Sequence, residues 1–241
     1  MEQYRYGKHA VIASIQAGKA KKIFLLPSFK DADVMTLIHQ HHLSVERMEE
    51  ARLAKLVQSQ HHQGIVALVV PFTYAPLPTF LTNIASHPSP LLVLLDGLED
   101  PLNLGAIIRT AVGFGVDGLI IKKDRQVDVN ATVAKIASGA LDHLPIIQVT
   151  NLTQTIETLK QHRFWIVATS LVDAVDFRSV DYHGPMAIII GHEGNGISRL
   201  VLEHADFKVK IPIQTIESFN AATSTAIVLS EVQRQRLLPK K

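Results

Sequence analysis

The sequence predicts an α/β protein in which a small N-terminal α/β domain precedes a larger domain built on a mostly parallel sheet. Strand-like and helix-like segments alternate along most of the chain. Five prolines interrupt residues 71–90, where they exclude a continuous helix or a central strand. The prolines therefore predict a domain at 1–72, a linker at 73–90 and a second domain at 91–241.

In the N-terminal part, apolar residues at helical spacing alternate with short apolar runs. Gly18 ends the first helical pattern, and the run Gly64–Val70 is typical of a buried strand. The predicted helices cover 7–18, 34–41 and 46–58, and the predicted strands cover 22–26 and 64–70. A short helix is predicted within the linker at 79–86.

The larger domain repeats the strand–helix alternation, which predicts a sheet with helices on both faces. The predicted strands are 91–95, 119–121, 146–149, 164–168, 187–190 and 207–211. The predicted helices are 103–114, 130–138, 152–162, 197–203 and 219–236. Gly113–Gly118 matches G-x-G-x-x-G, but it closes a helix and precedes a strand, which is the reverse of a dinucleotide site.

Composition excludes several classes of protein. The 241 residues include no cysteine and no apolar run long enough to span a membrane, and the first residues do not form an apolar signal segment. We therefore expect a cytoplasmic protein. The net charge is +2, but residues 1–71 carry nine Lys and Arg against six acidic residues. This excess is either ordinary surface charge or an electrostatic footprint for phosphates.

The segment Asn103–Arg109 places a cation on a face made of small residues. Around Arg109, the residues three and four positions away are two glycines, an alanine and a valine, so a backbone or a phosphate could approach closely. An ion pair within the domain is the alternative. Asn103 precedes the predicted helix and could simply cap it.

A second segment, 187–198, is predicted to be a buried strand, a glycine-rich turn and a helix. Ligands bind at such positions in α/β sheets. Gly191 would let backbone amides approach a ligand, and Glu193 could accept those amides or orient a substrate hydroxyl. A purely structural turn is the alternative, and we expect His192 to be a hydrogen-bonded scaffold residue.

In the third segment, a predicted strand ends at Pro212 and a loop leads to the last helix. Ser218 is predicted to cap that helix. Asn220 would then lie in the first turn of a buried helix and need a partner outside it. The histidines of the chain lack a motif such as H-E-x-x-H, so no metal site is predicted.

In order and spacing, these three segments resemble the motifs of the SpoU (TrmH-type) RNA ribose 2'-O-methyltransferases. The resemblance covers residues 91–241. Tyr6-Gly-Lys-His-Ala-Val11 and His62-Gln-Gly-Ile-Val-Ala67 resemble the small ribosomal-protein-like RNA-binding domain of the RlmB branch. The third segment departs from the family pattern, because it has Ile213, lacks a glycine between Pro212 and Ser218 and is one residue shorter.

The resemblance implies a deep trefoil knot, which base rates alone would disfavour, S-adenosylmethionine as the cofactor, and a homodimer with shared sites. It implies a guanosine of 23S rRNA as the methylated nucleotide. The residues implied for the cofactor site are Thr169, Gly191, Ile211 and Phe219. The residues implied for the catalytic and RNA-facing shell are Asn103, Arg109, Glu193, Ser218 and Asn220.

A guanidinium stays protonated, so Arg109 is interpreted as a phosphate clamp that also stabilises a developing alkoxide, with deprotonated Arg109 as the minority alternative. Two other functions stay open. A tRNA ribose methyltransferase would share the chemistry. A non-catalytic RNA-binding assembly factor would follow if the altered third segment no longer supports methylation.

Overall fold

A computed structural model describes residues 3–215 and 218–237, which fall into two compact units. Unit 1 consists of the chain up to Thr73 together with Val129–His143, and unit 2 consists of Tyr74–Asp128 and the chain from Leu144 onward. The predicted α/β class is confirmed, including the parallel sheet of the larger unit. Residues 129–143 were predicted to belong to the domain at 91–241, but they cluster with unit 1. Their helix has no sequence pattern that distinguishes it from neighbouring helices.

The secondary structure follows the predicted alternation. The strands are β1 (Gln3–Tyr6), β2 (Ala20–Leu25), β3 (Ser44–Arg47), β4 (Ile65–Val69), β5 (Leu91–Asp96), β6 (Gly118–Lys122), β7 (Ile146–Val149), β8 (Trp165–Thr169), β9 (Val175–Asp176), β10 (Met186–Gly191) and β11 (Phe207–Lys210). The helices are α1 (Lys8–Gln16), α2 (Ala32–Gln40), α3 (Glu50–Val57), α4 (Leu77–Ile84), α5 (Pro101–Gly113), α6 (Ala131–Ile136), α7 (Leu152–Gln161), α8 (Arg199–Glu203) and α9 (Ala221–Leu237).

Unit 1 is a four-stranded sheet, ordered β1-β4-β2-β3, between two layers of helices. Helices α1 and α2 pack on one face through residues such as Val11 and Val34. On another side of the sheet, Leu53 and Val57 of α3 form a second cluster, to which Ala131 of α6 contributes. Strands β1 and β3 were not predicted, because each has four residues and carries charged side chains. Because β3 occupies Ser44–Arg47, α3 begins at Glu50 and not at residue 46 as predicted.

A buried ion cluster holds residues 129–143 in unit 1. The Arg5 guanidinium pairs with the Asp142 carboxylate, and the side chains are 2% and 0% exposed. Arg5 also donates to the Ser14 hydroxyl at 3.2 Å, and Lys19 Nζ lies 2.7 Å from Asp142 Oδ1. A buried charge is costly unless it is paired. The pairing therefore makes the packing of this segment depend on residues more than a hundred positions earlier in the chain.

Unit 2 is a parallel seven-stranded sheet, ordered β7-β6-β5-β10-β8-β11-β9. Helices α4, α7 and α8 contribute to one apolar cluster together with β5, β10 and β8. Helices α5 and α9 pack against each other, and α9 also contacts β10. The two-residue strand β9 was too short for its pattern to be recognised. None of the described helices is long and apolar enough to cross a membrane.

The predicted starts of α5 and α9, which bear on the site, also differ from the structure. Helix α5 begins at Pro101, with the Asp100 side chain accepting from the Leu102 amide at 2.9 Å, so Asn103 lies inside the first turn and is buried. A proline at the first helical position favours this earlier start. Helix α9 begins at Ala221 and is capped by Asn220, whose Oδ1 accepts from the Thr223 amide at 2.8 Å.

Ser218 therefore does not cap α9, and Asn220 is exposed rather than buried in the helix. The interpretation of Gly113–Gly118 is confirmed, because α5 ends at Gly113 and β6 begins at Gly118.

Candidate active site

A cavity of about 530 Å³ lies where β8, β10 and β11 end in unit 2. This is the carboxyl edge of three neighbouring parallel strands, the position at which such sheets bind ligands. Its volume is in the range of small-molecule sites. Three stretches of chain and Leu202 of α8 line it. The stretches are Thr169–Val172, Ile190–Ile197, and a C-terminal group that includes Val209–Ile211, Ile213, Ser218, Phe219, Ala221 and Ser224.

The glycine-rich loop 191–198 is organised by hydrogen bonds within it. His192 and Gly196 exchange two backbone bonds, with N···O distances of 3.0 and 2.9 Å. The His192 Nδ1 atom accepts from the amides of Gly194, at 2.9 Å, and Asn195, at 3.3 Å. A Cβ on Gly191 would lie 2.7 Å from the Gly196 oxygen, so the loop can fold back here only over a glycine. His192 is thus the predicted scaffold residue.

The far end of the same loop is tied to the sheet by Asp96. This buried residue ends β5, and its Oδ2 accepts from the Ser198 amide at 2.8 Å. Its Oδ1 lies 3.1 Å from Lys122 Nζ at the end of β6. Sequence reasoning missed Asp96. The signal was an acidic residue directly after an apolar run, because a carboxylate in that position needs a partner near the strand end.

The four residues implied for a cofactor site all lie around the cavity. Thr169 ends β8, and its hydroxyl donates to the Ile189 carbonyl at 3.1 Å. Gly191 ends β10, while Ile211 and Phe219 are half-buried on the C-terminal side. The wall therefore combines apolar side chains with a few fixed polar groups, as small-molecule sites usually do.

The five residues implied for catalysis are not all in one place. Glu193 and Ser218 are exposed and line the cavity. Asn103 does not line it, but its Nδ2 donates to the Glu193 carboxylate and, at 2.9 Å, to Asp100. Asn220 uses its Oδ1 to cap α9. The first and second sequence segments thus meet directly through Asn103 and Glu193.

Arg109 lies apart from the cavity of its own chain. It is exposed on α5 and is not among the residues that line the cavity. Leu102, Ala106 and Gly113 share its helix face at spacings of three, four or seven residues, and Leu102 is 58% exposed. Apart from the backbone of α5 itself and the residues next to Gly113, no heavy atom of the described residues lies within 4 Å of where a Gly113 Cβ would be. The helix face around Arg109 is therefore exposed, and the small residues Ala106 and Gly113 leave space beside Arg109.

Among residues 3–215 and 218–237, no cluster of three or more His, Asp or Glu side chains is placed to hold a metal ion. The polar groups around the cavity include backbone amides, hydroxyls and the side chains of His192, Glu193, Asn195 and Lys210. Such a set can bind and orient an organic ligand through hydrogen bonds and a few charges.

Comparison with known families gives two matches that together span most of the chain. The profile of the SpoU rRNA Methylase family matches residues 90–230. A second profile, described as RNA 2'-O ribose methyltransferase substrate binding, matches residues 5–75. The first covers more than half of the chain and includes every residue that lines the cavity.

Individual proteins give the same picture. A Staphylococcus saprophyticus protein assigned by name to the TrmH family of tRNA/rRNA methyltransferases is 39% identical over 236 residues, covering 95% of this chain and 94% of its own. The crystal structure of an AdoMet-bound rRNA methyltransferase from Sinorhizobium meliloti matches with a TM-score of 0.81 at 26% identity, covering 99% of this chain and 88% of that one. The SpoU methyltransferase AviRb from Streptomyces viridochromogenes, in complex with AdoMet, matches with a TM-score of 0.83 at 23% identity, over 98% and 91% of the chains, and supports the fold.

Proposed function

This chain belongs to the SpoU rRNA methylase family, and from that premise we propose that it transfers a methyl group from S-adenosylmethionine to a ribose 2'-hydroxyl of RNA. The observation that carries the proposal is the convergence of the sequence segments. Thr169, Gly191 and Phe219, which are far apart in the chain, line one cavity at the carboxyl edge of the sheet. Asn103 joins this site through Glu193.

The cavity fits S-adenosylmethionine. Folding the loop back over Gly191 leaves no room for a side chain, so the backbone of the loop forms this part of the cavity wall. Ile211 and Phe219 offer apolar surface for a nucleoside, and Thr169 and Gly191 would complete the cofactor site at the strand ends. When bound, S-adenosylmethionine supplies a methyl group made electrophilic by its sulfonium. The protein must then hold the ribose oxygen in line with that methyl group.

Glu193 and Ser218 line the cavity, and we assign them to orient the ribose hydroxyl. The amide of Asn103 fixes one side of the Glu193 carboxylate. The Oδ1 atom of Asn220 caps α9. The NH₂ group of the same side chain can therefore donate to substrate. The O–CH₃ bond would form as the sulfonium–CH₃ bond breaks, and the hydroxyl proton would pass to the Glu193 carboxylate or to water at the cavity. Arg109 is a poor acceptor for that proton, because a guanidinium stays protonated.

We assign Arg109 to the site of a second copy of the chain, as a phosphate clamp. Three features support a homodimer with shared sites. Arg109 is exposed and lies outside its own cavity, Leu102 is exposed on the same helix face, and the small residues beside Arg109 would admit another backbone. A guanidinium placed this way would bind an RNA phosphate and stabilise negative charge developing on the ribose oxygen.

Mixing two inactive variants tests the shared site. Arg109→Ala and Glu193→Gln homodimers should each be nearly inactive. After the subunits are mixed and exchanged, heterodimers should recover part of the activity, because one of their two sites would be intact. A mixture as inactive as its parents, despite subunit exchange followed by native mass spectrometry, would place Arg109 and Glu193 in the same subunit's site.

The proposed substrate is a guanosine of 23S rRNA, as in the RlmB branch. The substrate-binding match at residues 5–75 and the name of the Sinorhizobium neighbour favour rRNA. tRNA is the second candidate, because the Staphylococcus relative is assigned to a family of tRNA/rRNA methyltransferases. The trefoil knot, which would surround the cofactor, also stays a prediction.

Two measurements test the function. Calorimetric titration with S-adenosylmethionine should show binding, and NAD should show none. Ribose-methylation mapping of rRNA and tRNA, in cells with and without the protein, should reveal one missing 2'-O-methyl mark, expected in 23S rRNA. If the missing mark were in tRNA, the substrate would be tRNA and not 23S rRNA. An unchanged map together with absent cofactor binding would favour the non-catalytic RNA-binding alternative.

A further inference from the structure

His192 holds together the loop that forms one wall of the cavity. Its Nδ1 atom accepts hydrogen bonds from two successive backbone amides, those of Gly194 and Asn195. The backbone of His192 also pairs with Gly196 on the other side of the turn. One imidazole nitrogen therefore holds the turn closed. The turn lies between the end of β10 and Ser198, whose amide donates to the Asp96 carboxylate.

This arrangement is possible for only one protonation state. A nitrogen that accepts from N–H groups must carry a free lone pair, so the proton of the neutral ring lies on Nε2. In the imidazolium form both nitrogens are donors. The Nδ1–H would then face two backbone N–H groups, and the amides of Gly194 and Asn195 would lose their acceptor.

We propose that neutral His192 is a positioning residue that keeps the glycine-rich loop in its cofactor-binding shape, so that protonating it weakens the binding of S-adenosylmethionine. The proposal rests on the assignment of the cavity as the cofactor site. It adds a regulatory property to that site: cofactor affinity decreases when acid protonates the ring, because Nδ1 can then no longer accept from the two amides.

The charged groups around the loop are few. Glu193 follows His192 on the loop, and Lys210 contributes to the cavity from the end of β11. Asp96, at the end of β5, is already paired with Lys122. On the helix that follows the loop, Arg199 pairs with Glu203.

Three substitutions of His192 separate the role of Nδ1 as a hydrogen-bond acceptor from the effect of protonating the ring. In His192→Asn, the amide oxygen can occupy the place of Nδ1 and accept from the same amides without titrating. His192→Gln extends its amide towards the place of Nε2, and His192→Ala removes the acceptor. His162→Asn is a matched control, because His162 is an exposed histidine at the end of α7 in the same unit.

The experiment is calorimetric titration with S-adenosylmethionine and with S-adenosylhomocysteine at several pH values between about 5.5 and 8. The wild-type protein and His162→Asn should bind about tenfold more weakly at the acidic end, the scale expected when such hydrogen bonds are lost. His192→Asn should bind within about threefold of wild type near pH 8 and show little pH dependence. His192→Ala and His192→Gln should be about tenfold weaker throughout.

NMR of the ring nitrogens provides a second readout without ligand. It should show an unprotonated Nδ1 at pH 8, and the Gly194 and Asn195 amide signals should shift when acid protonates the ring. A protonated Nδ1 at pH 8, or His192→Ala binding like the wild-type protein at every pH, would overturn the inference. A wild-type protein that does not bind the cofactor at any pH would instead defeat the proposed function, while the NMR would still report on the loop.

Discussion

Both units bury a carboxylate, but the two carboxylates have different partners. In unit 1, Asp142 pairs with the side chains of Arg5 and Lys19 and joins segments far apart in sequence. In unit 2, Asp96 accepts from the Ser198 backbone and fixes a loop that lines a cavity. The difference teaches that a buried charge can maintain either the packing of a unit or the shape of a site. Losing the first should lower stability, and losing the second should weaken ligand binding.

The largest expected effect is on unit 1. Asp142→Ala would leave the Arg5 guanidinium buried with Ser14 as its remaining described side-chain partner. Breaking a buried ion pair from one side usually costs about 3–5 kcal/mol of unfolding free energy. Urea denaturation should measure this loss.

The double variant Arg5→Met with Asp142→Leu provides a control, because it removes both charges and should recover much of the stability. Arg178→Ala, which removes an exposed ion pair with Asp176, should leave the urea midpoint unchanged. If Asp142→Ala were as stable as the wild-type protein, Asp142 would not maintain the packing of unit 1.

Arg109→Ala should have the next largest effect, on catalysis and not on stability. Removal of a charge-stabilising donor would raise the barrier by about 3 kcal/mol, or roughly a hundredfold in rate. Single-turnover methylation with saturating cofactor measures this change. Because Arg109 is exposed, the urea midpoint should not move. Near-normal single-turnover rates would show that Arg109 does not act in the site.

Asp96→Asn should mainly affect the cofactor. The asparagine oxygen can still accept from the Ser198 amide, but the ion pair with Lys122 is lost. We expect the KM for S-adenosylmethionine to rise about tenfold with a smaller change in kcat, because the loop loses part of its anchoring. Lys122→Met is the matched variant and should act in the same direction. An equal loss of kcat with an unchanged KM would contradict this role.

The smallest expected effect concerns the start of α9. Asn220→Ala removes a helix cap and should cost about 1 kcal/mol of unfolding free energy. Asn220→Asp retains a cap oxygen and should restore stability. If the Asn220 NH₂ group also contacts substrate, the aspartate variant will stay slow in methylation despite its normal stability. Full activity of that variant would limit Asn220 to capping.

The sequence predicted most of the elements that are long and strongly patterned. Strand β5 and helix α7 were recognised within one residue at each end, because continuous apolar runs and helical spacing are local signals. Strands β1 and β3 were missed, since four residues with charged side chains do not form a distinctive pattern. Asn103 and Ser218 were assigned as possible caps because spacing alone does not distinguish neighbouring polar residues.

For the site, the sequence named residues but not their arrangement. Thr169, Glu193 and Phe219 were identified through motif resemblance, and the structure shows that they line one cavity. The partnership of Asn103 with Glu193 and the anchoring role of Asp96 were not predicted. Each joins residues about a hundred positions apart, so no local pattern could reveal them.

By itself, the sequence determined the α/β class and the alternation of strands and helices, because these depend on local spacing and residue type. RNA methylation was implied by the resemblance of its motifs to a known family. Only the tertiary structure decided that residues 129–143 pack in unit 1, that Asp96 and His192 hold the glycine-rich loop, and that Arg109 lies away from the cavity of its own chain. These features depend on which distant strand ends meet and which buried charges find partners, and that is settled only when the chain packs.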